Sequence, residues 1–223
     1  MVNVTNILID KQDSFEIVRD QIAQIIADES VNQQALATSL SKDPDDWKLR
    51  VFTENLNAFQ QFAGNPPIED VSPIVNVWFE SMSPDEKASD TIERQTYEGR
   101  FNIDCYGYGV SEDDGGTGHI AGDVKSALES QRATRLVRNI LMLDVNYNLQ
   151  LSPLVTHKMP QDIEIFQPTF DPQKGAQVLG ARLSLRVRYD ETAPQFDYPA
   201  LEELGVTITR ASDGRVYAKQ EIV

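Results

Sequence analysis

Cysteine is almost missing from this chain. Cys105 stands alone among 223 residues, so neither an intrachain disulfide framework nor a four-cysteine zinc site can be built. Histidine is nearly as scarce. His119 and His157 are the two that occur, and neither belongs to an H-E-x-x-H or similar metal pattern. Cations are in short supply too, with 20 Lys+Arg against 35 Asp+Glu and a formal net charge of -15. Proteins that grip nucleic acid neutralise phosphates with Lys and Arg, and a chain of this balance repels them on average. No run approaches the roughly 18 apolar residues of a membrane-spanning helix. The opening MVNVTNILIDKQDS has no basic segment followed by a long apolar stretch, so it does not read as a secretory signal. The expectation is a protein made in a reducing cytoplasm, with no membrane partner.

What is present suits a packed core. Hydrophobic residues make up 40% of the chain and charged residues 25%, an ordinary globular balance. Asp13, with Glu16 three residues on, reads as a helix start. Phe15, Val18, Ile22, Ile25 and Ile26 then recur at helical spacing, which predicts a helix over 14–29. A weaker second helix is predicted over 31–40. Strands are expected over 47–53, 71–82, 94–110, 162–166, 176–189, 206–210 and 216–220. A helical turn is expected over 56–62. The last two strands flank Ser212-Asp213-Gly214-Arg215, a hairpin signal.

A long helix is expected over 121–143, with Val124, Leu128, Leu136, Ile140 and Leu143 as its apolar stripe. The order is helix, strands, long helix, strands, without a repeating βα unit. The predicted class is therefore α+β, a mainly antiparallel sheet with the long helix and the N-terminal helix packed on one face. Residues 1–223 are read as a single domain, with 1–70 a helical N-terminal extension and 190–223 a linking arm plus a C-terminal hairpin.

Motifs for chemistry are few. Gly116-Thr117-Gly118-His119-Ile120-Ala121 fits the loose dinucleotide form G-x-G-x-x-A. Yet Glu112, Asp113 and Asp114 stand immediately before it and would oppose a phosphate, and no βαβ unit follows. The same three carboxylates could bind a hard cation, but an oxygen cage takes six or more ligands. Asp144-Val145-Asn146-Tyr147-Asn148 imitates the start of a calcium loop but has Leu149 where glycine is needed and Val155 where glutamate is needed. Cys105 falls on the inward side of a strand, beside Phe101 and Ile103, as a buried thiol would. No catalytic residue, cofactor or metal is assigned.

The stretch ARLSLRVRYDE poses the sharpest question. Leu183, Leu185, Val187 and Tyr189 occupy one face of a strand, and Arg182, Ser184, Arg186 and Arg188 the other. Asp104 and nearby carboxylates across the sheet offer internal partners. The next subunit of an assembly offers others, because Arg pairs bidentately with carboxylates. A merely solvated face is the third reading. Arg132, Arg135 and Arg138 on the long helix carry the same alternatives.

The segments RQTYEGRFNIDCYGYG, GDVKSALESQRATRLVRNILM and ARLSLRVRYDETAPQ, followed by a short C-terminal hairpin, together resemble the neck and tail-terminator proteins of long-tailed bacteriophages. The resemblance covers residues 71–223. It implies an α+β structural protein of the virion neck or tail top, assembled in the host cytoplasm, and no enzyme. It also implies a homo-oligomeric ring, six-fold by expectation. That ring would end the tail tube or join it to the head, touch tail tube or sheath proteins and head-connector proteins, and let DNA pass without specific binding. On that reading Arg182, Arg186, Arg188, Arg132, Arg135 and Arg138 are candidate subunit-interface residues. Glu112, Asp113 and Asp114 are then a candidate acidic lining of the channel. The alternatives are a small nucleotide-binding or hydrolytic protein using the Gly116–Ala121 loop, and a soluble adaptor that forms no ring.

Overall fold

A computed structural model describes residues 12–63, 70–87, 94–113, 119–169, 176–192, 204–209 and 216–222. The chain divides into two compact units, Gln12–Glu191 and a second made of Met1–Lys11 with Thr192–Val223. The first unit is an α+β fold of two helices and a five-stranded, mostly antiparallel sheet.

Helix α1 spans Ser14–Ser39. Its start is built as the sequence predicts, with the Glu16 carboxylate accepting from the Asp13 backbone N–H at 2.9 Å. The second predicted helix is the continuation of the first. No glycine or proline interrupts 29–32, and Ser30, which falls between the two predicted helices, is buried and used. Its hydroxyl donates to the Trp47 carbonyl at 2.8 Å and accepts from the Leu49 N–H at 3.2 Å. That bond ties α1 to the 3-10 turn Pro44–Trp47 and the chain entering strand β1, Arg50–Thr53. Val18, Ile22, Ile25 and Ile26 are buried, so α1 is part of the main core.

Strand β2 (Ile74–Pro84) pairs parallel to β1 and antiparallel to β3 (Arg94–Val110). Two further strands, β4 (Glu112–Asp113) and β5 (His119–Ile120), form a small separate antiparallel pair. Helix α2 follows at Gly122–Leu141. Strand β6 (Val155–Phe166) pairs antiparallel to β7 (Ala176–Thr192), and the sheet order is β1-β2-β3-β7-β6. Arg182 reaches Asp104 and Ser184 reaches Asn102. The β7 partners thus climb as the β3 partners fall, and β7 runs antiparallel to β3. In the second unit, β8 (Leu204–Thr209) pairs antiparallel to β9 (Val216–Ile222). The Asp213–Gly214 turn of that hairpin lies outside the described residues, as does 193–203 of the expected arm.

Alternation sorts the sheet into two faces. Val75, Val77, Phe101, Ile103, Cys105, Leu183, Leu185, Val187 and Tyr189 are all buried in one cluster with residues of α1 and α2. The opposite face is polar along most of its length. At one end it carries a second cluster, where Phe62 of the 3-10 turn Ala58–Ala63 stacks on Tyr108.

The long helix departs from its predicted stripe. Val124, Leu128 and Leu143 are exposed, and the buried positions are Gly122, Ser126, Ser130, Ala133, Thr134, Val137, Ile140 and Leu141. The reason lies in β3. A Cβ on Gly107 would stand 2.5 Å from the Ser130 N, and one on Gly109 would stand 2.6 Å from the Ser126 N. Backbone meets backbone there, so the first half of the helix turns Gly122, Ser126 and Ser130 inward and Val124 and Leu128 to solvent, while Val137, Ile140 and Leu141 of the second half are buried.

Candidate functional site

The polar face of the sheet holds the arginines that the sequence singles out. Asp104, opposite Arg182, is nearly buried, with 5% of its side chain exposed. One carboxylate oxygen accepts from Arg182 Nε at 2.7 Å. The other accepts from Arg182 Nη2 at 3.0 Å, Trp78 Nε1 at 3.0 Å and the Tyr106 hydroxyl at 3.3 Å. The guanidinium lies between two rings, 4.9 Å from the Trp78 centroid and 5.2 Å from that of Phe166. Bidentate pairing and ring stacking are the geometry that arginine favours over lysine. The bond to Asp104 raises the Arg182 pKa against the opposing effect of burial. Burial and the neighbouring Asp104 charge push the Tyr106 phenol well above its ordinary value, so it serves as a hydrogen-bond donor.

The remaining charges continue the ladder. Arg186 pairs with Glu98 at 3.5 Å and Arg188 with Asp85 at 2.8 Å. Arg100 faces Glu80, and Arg94 bonds Asp190, which also accepts from Thr96. Arg182, Arg186 and Arg188 are therefore all engaged within their own chain. Arg132 is likewise engaged, with Glu129 and with the Asp46 carbonyl and carboxylate, linking α2 to the turn at Pro44–Trp47. Arg135 and Arg138 differ. Both are exposed and make no ion pair among the described residues.

Beside Arg182 the polar face forms an open hollow of about 130 Å³, reached by Glu80, Arg100, Asp162, Glu164 and Ser184. The Ser184 hydroxyl donates to the Asn102 side-chain oxygen at 2.8 Å. An amide oxygen is no base, so Asn102 does not activate the serine as a nucleophile. Asp104 already accepts four hydrogen bonds and has 5% of its side chain exposed, so it is committed to holding Arg182, Trp78 and Tyr106. Cys105 lies on the other face, fully buried; burial pushes its thiol up to about 12, against a small opposing effect from Thr134. A thiol held protonated in this way is core filling. His157 is exposed, its Nδ1 3.5 Å from the Tyr147 hydroxyl.

The acidic glycine stretch is described only in part. Glu112 and Asp113 pair through their backbones with Ile120 and His119. Asp114 and 116–118 lie outside the described residues. Ala121 is the N-cap of α2, and the Ser111 hydroxyl accepts from the Gly122 N–H at 3.0 Å. In the segment that imitates a calcium loop, Asn146 is buried and donates to the Ile140 carbonyl at 2.9 Å, closing the end of α2. That side chain serves the helix terminus.

The sequence offers Asp104 as a partner but does not single out Glu98 or Asp85. The readable signal was the alternation on β3 once Asp104 is set against Arg182, which brings Glu98 near Arg186. Alternation along β2 puts Trp78 on the polar face, but its bond to Asp104 depends on how β2 and β3 pair. The sequence matches no protein-family model and no curated protein.

Proposed function

We propose that this chain is a structural protein of a bacteriophage neck, forming a ring that ends the tail tube or joins it to the head and lets DNA pass. The observation that carries the reading is where the resembling segments fall. RQTYEGRFNIDCYGYG lies within β3, GDVKSALESQRATRLVRNILM spans α2 and its C-cap Met142, and ARLSLRVRYDETAPQ begins within β7. The resemblance thus follows whole elements in their order, with a hairpin after them. The charge arrangement agrees with passage of DNA. The arginines of β7 are neutralised by their own chain, and the remaining excess of carboxylates offers phosphates few traps.

Immunogold labelling of virions from a host strain carrying this gene tests the reading. Label at the head–tail joint, with peptides of the chain in the purified particles, is the expected result. Particles free of the chain would refute it.

A further inference from the structure

Among the described residues, the sheet's helix-bearing face is left bare at one corner. Helix α1 packs on β1 and β2, and α2 packs on β3. On the edge strand β6, Ile163 and Ile165 are paired with Leu183 and Ala181, so they point to the helix side. They are nevertheless 52% and 57% exposed. Asp162 and Glu164 flank them, exposed, on the polar side of the same edge, where they line the hollow beside Arg182. Glu164 stands opposite Arg182 in the strand register and acts on its charge, but neither carboxylate closes a salt bridge among the described residues.

A complementary surface exists elsewhere in the same unit. Val124, Leu128, Gln131, Arg135, Arg138 and Met142 are spaced alternately by four and three along α2 and its C-cap, and all are exposed. That spacing is a continuous seam along one side of a helix. Val124 and Leu128 are 50% and 59% exposed. The seam carries Arg135 and Arg138, two cations that make no ion pair among the described residues, in a chain with a net charge of -15.

We infer that copies of this chain join head to tail, the α2 seam of one copy covering the Ile163–Ile165 corner of the next. Val124 and Leu128 meet Ile163 and Ile165, while Arg135 and Arg138 reach over the edge to Asp162 and Glu164. The neighbour's helix takes the vacant place in the helix layer and hides the outer edge of β6, which a sheet otherwise leaves open to stray pairing. Two arginines and two aliphatics on one surface match two carboxylates and two aliphatics on the other. The surfaces lie on different elements, so the contact is heterologous and propagates into a ring or a filament. This inference rests on the ring reading above and names its contact.

Sedimentation velocity of the full chain, from micromolar to millimolar concentration, tests it. Arg135→Glu with Arg138→Glu is expected to weaken association by about tenfold or more. Asp162→Lys with Glu164→Lys is expected to do the same. Mixing the two variants, or combining all four changes in one chain, is expected to restore association. Melting curves check that each variant is folded. As a second readout, Leu128→Cys with Ile165→Cys in one chain is expected to give a ladder of dimers, trimers and larger species under mild oxidation, Cys105 being buried. Each single cysteine variant should stop at dimers.

Failure of the swap to restore association, or absence of the ladder, overturns the contact. Rings that survive the charge reversals overturn it and leave the neck reading standing. Association through this seam in a chain missing from virions has the opposite meaning: the contact holds and the neck reading falls.

Discussion

Asp104 and Arg182 contribute unequally to stability, because one is buried and the other half open. Removing Arg182 leaves a carboxylate with 5% of its side chain exposed and no counter-charge. Arg182→Met is therefore expected to cost about 3–5 kcal/mol in urea unfolding, the range for a buried pair broken on one side. Asp104→Asn keeps an acceptor for Trp78 and leaves Arg182 its access to water and to Glu164, so about 1–3 kcal/mol is expected. Equal losses would show that the pair is not asymmetrically buried.

Glu191 provides a pH test at the same scale. Its Oε1 accepts from the Ser14 N–H at 3.4 Å, while its Oε2 is buried without a partner among the described residues. Burial first, and then the charge of Asp13, raise its carboxyl pKa. The folded state thus binds this proton more tightly than the unfolded chain does. The contribution to stability is fully present below the unfolded value of about 4.3, and it is lost as pH rises through the higher folded value. Glu191→Gln should raise the melting temperature at pH 7 and bring no gain at pH 4. A gain of equal size at both values would count against this account.

At the scale of elements, β7 decides most. Leu185 is fully buried between helices and sheet, so Leu185→Ala is expected to destabilise by about 2–5 kcal/mol. Arg186 and Arg188 occupy the opposite face, each with a carboxylate of its own chain. Their pairs are half exposed, so Arg186→Glu with Arg188→Glu should cost roughly 1–2 kcal/mol in the monomer. An unchanged melting temperature would mean that this face is only solvated. The contact between β3 and α2 is less forgiving. Gly107→Ala drives a methyl into the helix backbone, and the strain of such overpacking is about 1–3 kcal/mol. Thermal unfolding should place it below the parent, with α2 displaced.

For the whole molecule the charge balance dominates. With 35 acidic against 20 basic residues, and the β7 arginines already paired, the isolated protein should show negligible affinity for duplex DNA at physiological salt. A filter-binding assay that finds micromolar affinity with a steep salt slope would contradict this. The same excess keeps copies apart at low concentration. Association should therefore strengthen as salt rises, up to the point where the Arg135 and Arg138 contacts are themselves screened.

Sequence by itself determined the elements and their faces. The Asp13–Glu16 cap and helical recurrence placed the start of α1 at Ser14, and strict alternation put Phe101, Ile103 and Cys105 of β3, and the residues of Arg182–Tyr189, on the correct sides, because both periods are local properties of the backbone. The α+β class followed from their order. Two things waited for the tertiary structure. One was the inward face of α2. Val124 and Leu128 look like core by hydrophobicity, but Gly107 and Gly109 on another element let the helix approach so closely that only Gly122, Ser126 and Ser130 fit beneath it. The other was which arginines are already satisfied. Arg132 and Arg135 stand three apart on one helix and look alike in sequence. Arg132 meets Asp46 because the turn at Pro44–Trp47 folds back beside it, and Arg135 is exposed and meets no carboxylate among the described residues. Pairing depends on which segments share space, and that is settled by packing between elements far apart in the chain.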